Sequence, residues 1–295
     1  MIALHARARW IIAAIGLSMA LALSAAGCAD GAAEPPRSGP LTEILGELHA
    51  HSLAVDPEDP QRLLLGIHGG LYVSGDGGRT WRLEALEGAD VMNLAGGRDG
   101  APIWVAGHEV LARSSDGAGG FEDVRPSGLP GLDLHGFAVR EGRSEELYAA
   151  VAGEGLYRSE DGARSFALLT RSVGASVHGM GVTADGTLIA ADPAQGLLIG
   201  AGDGRTFRRP LRGEGLVDVA LAPEQPGLVL AAGPGLYVSR DGGRRFTPAL
   251  PQARLAAVAI APSDPDRAYA IRDDGAVFTS ADGARTWSAV EGREG

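Results

Sequence analysis

One cassette recurs along most of the chain: an apolar strand, a second strand, a Gly-Leu-Tyr-x-Ser strand, and a turn of the form Ser-x-Asp-Gly-Gly-Arg-Thr-Trp. The aromatic closing each cassette falls at Trp81, Phe121, Phe166, Phe207, Phe246 and Trp287, a period of about 40 residues. The turn is explicit at Ser74/Asp76, Ser159/Asp161, Ser239/Asp241 and Ser280/Asp282. The copy at Ser114/Asp116 has lost its arginine, and the copy at Asp203 to Phe207 has slipped by one residue. Each unit offers four short strands, in the first roughly Ser52 to Val55, Arg62 to Gly66, Gly70 to Ser74 and Thr80 to Leu83. A sheet this small cannot bury both faces alone, but it can when stacked radially between neighbours. The expected fold is therefore all-β, a six-bladed β-propeller of four-stranded antiparallel blades. A seventh blade has little to build on: Leu41 to Leu48 would add one strand, and no seventh turn motif is present.

Composition agrees with a chain that turns often. It has 45 glycines and 17 prolines with only 5% aromatics, which disfavours a helix bundle. The net charge of -11 argues against a nucleic-acid partner, because phosphate binding needs a basic face. All 26 basic residues are arginine.

Residues 1–28 read as an export signal: Arg7 and Arg9 precede an apolar stretch from Trp10 to Leu23, followed by small residues up to Cys28. The run Leu23-Ser24-Ala25-Ala26-Gly27-Cys28 resembles the bacterial lipobox, although Ala25 stands where leucine is commoner. The resemblance implies removal of the preceding peptide, acylation of Cys28, and a lipid-anchored protein of the bacterial cell envelope. As the only cysteine, Cys28 permits no intramolecular disulfide. Residues 29–40, small and proline-bearing, read as a tether, and residues 41–295 as the propeller.

The repeated turn resembles the Asp-box of BNR and sialidase-type propellers, from about residue 47 to the end of the chain. That resemblance implies a structural role for Asp76, Asp161, Asp241 and Asp282. The phrases His49 to Pro57 and Ile67 to Tyr72 resemble exported bacterial propellers labelled glycosylhydrolases and, more loosely, Ycf48-type photosystem assembly factors. Such a label follows the repeat and not a reaction. A sialidase would need an arginine cluster and an activated tyrosine. Here the arginines gather in the turns, and Tyr72, Tyr157 and Tyr237 occupy equivalent third-strand positions where packing explains them.

In a propeller the first strand of each blade lines the central channel. Aligning first strands places His51, Met92, His135, His178, Val217 and Ala256 in one column. The ends of the second strands add His68 and His108, with Glu109, Glu154, Asp192 and Asp273 nearby, and His49 lies two residues before the column. All six histidines beyond the leader thus map to one rim. His49, His51, His68, Met92, His108, His135 and His178 are the expected ligand-binding residues. A transition metal would fall to His51, His135, His178 and Met92, His with Met suiting copper and His with carboxylate suiting zinc. The competing reading is packing: His51, His135 and His178 share strand parity with Leu53, Phe137 and Met180. An enzyme of this shape would be a glycoside hydrolase needing two carboxyl groups across the scissile bond, and Glu109, Glu154, Asp192 and Asp218 are its only pairings. No nucleophilic triad, phosphate loop or dinucleotide fingerprint is present. The sequence thus favours a ligand-binding or scaffold module with a protein or glycan partner, the alternatives being a BNR-type glycoside hydrolase and a metal-binding envelope protein.

Overall fold

The computed structural model describes residues 36–46, 48–173, 176–213, 215–250 and 253–291. The expected signal peptide, Cys28 and most of the tether lie outside the described residues.

The first four-strand group runs Ala50–Val55, Leu63–Ile67, Gly70–Ser74 and Trp81–Ala85, each strand antiparallel to the next. Ser38–Gly39, expected within the tether, adds a fifth strand by pairing Ser38 with Arg82 and Gly39 with Trp81. The second group is Asp90–Gly96, Ile103–His108, Val110–Ser114 and Glu122–Asp123. The third is Leu134–Arg140, Arg143–Val151, Gly155–Ser159 and Ala167–Thr170, and the fourth Met180–Val182, Thr187–Asp192, Gly196–Ala201 and Phe207–Arg208. Asp218–Leu221, Val229–Ala232, Leu236–Ser239 and Thr247–Leu250 form the next group, and Leu255–Ala261, Asp264–Arg272, Val277–Ser280 and Ser288–Ala289 the last. The whole is an all-β, propeller arrangement of four-stranded antiparallel sheets.

Two expectations are corrected. The third and fourth groups are not separate sheets but one eight-stranded sheet, joined by a single parallel pair, Arg140 with Val182. The Glu141 N–H reaches the Val182 carbonyl at 3.0 Å, which draws the two inner strands together. Leu41 to Leu48 supplies no spare strand: Leu41–Leu45 is a short helix after Pro40. Leu41, Ile44 and Leu45 are its buried residues, a helical spacing that a strand would have split between two faces.

The apolar cores lie between neighbouring groups. Leu64 and Leu71 meet Leu94 and Ile103, Trp104 meets Phe137 and Leu147, and Ala138 and Tyr148 meet Val182 and Leu188. Ile189 and Ile199 pack on Val219 and Val229, and Leu228 and Leu230 on Val258 and Ile260. The last of these cores joins the two ends of the chain, with Leu53, Leu65 and Trp81 against Ala259, Tyr269 and Ile271. Both faces of each group are thereby covered. This is why a strand such as Leu63–Ile67 is buried at every position instead of alternating, as a one-sided sheet would.

The turns hold the outer edges. The Ser74 hydroxyl donates to Asp76 Oδ1 at 2.8 Å and accepts the Gly78 N–H at 2.9 Å. Asp76 Oδ1 also accepts the N–H groups of Arg79 and Thr80, and its Oδ2 the Thr80 hydroxyl. The same pattern recurs at Asp161, Asp241 and Asp282. Asp116, without its arginine, still accepts two N–H groups, from Gly119 and Gly120. The slipped copy keeps one such bond, Arg205 N–H to Asp203. The hydroxyl and amide of Ser165 pull Asp161 down to about 2. These carboxylates are occupied by their own turns and are not offered to a ligand.

Candidate functional site

All six residues of the expected column, His51, Met92, His135, His178, Val217 and Ala256, line a single cavity of about 610 Å³, together with His49 and Asp273. The device that aims them there is a β-bulge. Pairing register shifts between Ala50 and Ser52, between Val91 and Asn93, between Leu134 and Gly136, and between Leu255 and Ala257. The residue skipped in each case is the column residue: His51, Met92, His135 or Ala256. A bulge leaves one residue out of the ladder and re-aims its side chain. The parity argument for packing between sheets therefore fails at His51 and His135, because counting by twos does not run through a bulge. Leu53 and Phe137 go into the intersheet cores, whereas His51 and His135 face the cavity.

In three groups the residue after the column position anchors its strand to the neighbouring group. Ser52 Oγ accepts the Leu94 N–H at 3.0 Å. Asn93 donates to the His135 carbonyl and accepts the Phe137 N–H, both at 3.1 Å. Asp218 accepts the N–H groups of Val219 and Val258 at 2.8 and 2.9 Å.

The six described histidines form one connected cluster. His68 lies against His49 and His51, with ring centroids 5.7 and 4.4 Å away. His135 lies against His108 and His178 at 5.0 and 5.4 Å. Two aspartates absent from the expected set join the cluster, Asp90 linking its halves and Asp133 bridging His108 and His135. Asp90 opens the inner strand of the second group, directly opposite His108. Its Oδ1 is 3.5 Å from His51 Nε2, and its Oδ2 is 3.3 Å from His68 Nε2 and 2.7 Å from His108 Nδ1. Asp133 Oδ1 is 3.1 Å from the Nε2 atoms of both His108 and His135. The signal for both was available: Asp90 and Asp133 stand two residues before the column in Asp90-Val-Met92 and Asp133-Leu-His135, where the first repeat has His49.

Burial, then the neighbouring imidazoles of His68 and His49, pushes His51 down to about 3. Burial likewise lowers His135, with His178 and His108 adding to the effect and Asp133 opposing it. His51 is therefore neutral at physiological pH, with a ring lone pair free for a cation.

The remaining candidates are engaged in other ways. His178 turns its Nδ1 toward the Ser176 carbonyl at 3.1 Å, and Met92 is 7% exposed at the cavity wall. Asp192 is fully buried and its carboxylate accepts four hydrogen bonds, from Ser176, Ala194 and, twice, Gln195. It caps a turn and has no lone pair to spare for acid or base work. Exposed Glu154 pairs with Arg171 at 3.3 Å, and Asp273 with Arg254 at 2.9 Å. Glu109 is exposed in a tight turn at φ 58°.

With this geometry in hand, comparison with known proteins gives fold and little more. No protein-family model matches the sequence, and no curated protein matches it. Solved structures do match. YCF48 from Cyanidioschyzon merolae is 17% identical over 83% of this chain and 85% of its own, with a TM-score of 0.50. The GH74 enzyme of Niastella koreensis is 17% identical over 85% of this chain, with a TM-score of 0.50. PorZ of Porphyromonas gingivalis, described as an essential surface component of the type-IX secretion system, is 14% identical over 83%, with a TM-score of 0.54. The likeness is one of fold. This chain spans only 39% of the GH74 enzyme and 32% of PorZ. One of these propellers is described as an enzyme and another as a secretion-system component, so the fold does not decide whether a reaction is catalysed.

Proposed function

We propose that the protein is a lipid-anchored, six-bladed propeller of the bacterial cell envelope that works as a binding module, its ligand seated at the histidine-bearing end of the bore. The observation that carries this reading is the convergence of one repeat column on one cavity, with imidazoles from the first, third and fourth groups and a thioether from the second. Six cassettes in the sequence and six cores between neighbouring groups, one of them joining first group to last, support the blade count. The lipobox-like run ending at Cys28 supports the anchor, and the turns support kinship with Asp-box propellers. A glycoside hydrolase is the weaker reading, since Asp192 and Glu154 are both engaged within the fold.

The test is a thermal-shift screen of the full chain in detergent against glycans, peptides and divalent cations, with glycan turnover followed in parallel. At least one class is expected to raise Tm in the parent and not in the His51→Ala/His135→Ala double variant, with no turnover. Equal shifts in parent and variant, or glycan hydrolysis abolished by Glu154→Gln, would overturn the reading. In the producing cell, a clickable fatty acid is expected to label the parent and not Cys28→Ala.

A further inference from the structure

We propose that the histidine-bearing end of the bore holds two divalent transition-metal ions of the zinc type, one on His51, His68 and Asp90 and the other on His108, Asp133 and His135. This rests on the binding-module reading above and names its ligand. In the first set the His51 and His68 Nε2 atoms are 3.3 Å apart and lie 3.5 and 3.3 Å from the oxygens of Asp90. In the second, the three donor atoms form a nearly equilateral triangle with sides of 3.0, 3.1 and 3.1 Å. Ligands of a tetrahedral ion with bonds near 2.0–2.1 Å stand about 3.3–3.4 Å apart. An ion about 1 Å out of the plane of the second triangle meets all three donors and keeps a fourth position open, while in the first set the two imidazoles face different oxygens of one carboxylate.

The polar bookkeeping points the same way. Among the described residues, only two carboxylate oxygens are shut off from water without a hydrogen-bond donor: Asp90 Oδ1 and Asp133 Oδ1, one in each set. Both face imidazole Nε2 atoms in poor hydrogen-bonding geometry, and a buried anionic oxygen left in that state is costly. A cation satisfies it. The sets are also coupled. Asp90 Oδ2 lies 2.7 Å from His108 Nδ1, a charge contact that favours a proton on Nδ1 and leaves the Nε2 lone pair for the second ion. A carboxylate holding the far nitrogen of a ligating imidazole is the usual outer-shell partner of a metal site. Neither triad contains sulfur, and two imidazoles with a carboxylate suit zinc better than a copper site built on thioether. His108 and Asp133 have side chains 45% and 51% exposed, which leaves a path for an ion from solvent.

The test measures zinc binding to the full chain, purified in detergent and stripped with chelator, by calorimetry and elemental analysis. Cobalt(II) serves as an optical probe of coordination. Two zinc ions per chain are expected, with tetrahedral-type cobalt absorption. His51→Ala and His108→Ala should each leave one ion, and Glu122→Gln, an exposed outer-strand change away from both sets, should still bind two. Asp90→Asn should remove the first ion and weaken the second about 10–100-fold, as loss of an outer-shell partner does. Near-ultraviolet circular dichroism of each variant checks that the fold is kept. No zinc uptake, one ion in the parent, or two ions retained by folded His51→Ala and His108→Ala proteins would overturn the inference. If the chain takes no zinc yet binds another ligand through His51 and His135, this inference falls and the binding-module reading stands; if neither binds, both fall.

Discussion

Replacing Trp81 by alanine is expected to cost about 3–5 kcal/mol of folding free energy, the range for deleting a fully buried large aromatic. Trp81 is 1% exposed and belongs to the core joining the first and last groups. Its indole N–H also donates to the Gly78 carbonyl at 3.1 Å. Trp287 closes an almost identical turn, but it is only partly buried and its Nε1 has no partner. Trp287→Ala is expected to cost about half as much. Urea titration of both variants checks this. Equal losses would mean that the junction between the two ends of the chain contributes little to stability, and closure of the ring would lose its energetic basis.

The second large effect is a dependence on pH that one residue carries. Asp218 is buried, and that burial pushes its carboxyl up to about 7, although the N–H groups of Val258 and Val219 work against the rise. An unfolded aspartate ionises near 3.9. Between these values the folded state holds a proton that the unfolded state has lost, so unfolding free energy falls as pH rises and levels off above the folded value. His51, pushed down to about 3, acts in the opposite sense below its ordinary value, so the parent profile alone mixes the two. The difference between parent and Asp218→Asn isolates the carboxyl. In metal-free buffer, the parent's stability relative to the variant should shrink by about 3 kcal/mol between about pH 5 and pH 8. A difference that stays constant across that range would show an ordinary carboxyl at this position.

Much of the architecture was legible because a repeat reports the same structure several times. The Ser-x-Asp turns, the four strands per cassette and the column of bore residues all follow from aligning the chain with itself. The bulges were not legible. Nothing in Ala50-His51-Ser52 or Leu134-His135-Gly136 marks a skipped residue, because a bulge arises from pairing with the next strand. Period-two counting is what gave the competing reading, in which His51 and His135 pack beside Leu53 and Phe137. Asp90 and Asp133 stand at a legible repeat position two residues before the column, but their contacts with His108 were not legible. Their part in the site comes from register, Asp90 opposite His108 and Asp133 bridged to His108, and that is a property of paired strands. The helix at Leu41–Leu45 shows the limit of counting apolar residues over a short run, where strand and helix patterns overlap.

Ligand binding at one end of the bore is proposed to fall to imidazoles and carboxylates from separate repeats. Crystals of the protein soaked in zinc, with diffraction recorded on either side of the zinc absorption edge, address it most directly. Two anomalous peaks are expected, one bounded by His51, His68 and Asp90 and one by His108, Asp133 and His135, inside a ring whose first and last sheets are packed together. Peaks confined to other parts of the surface, or these six side chains spread over different faces of the molecule, would contradict the proposal.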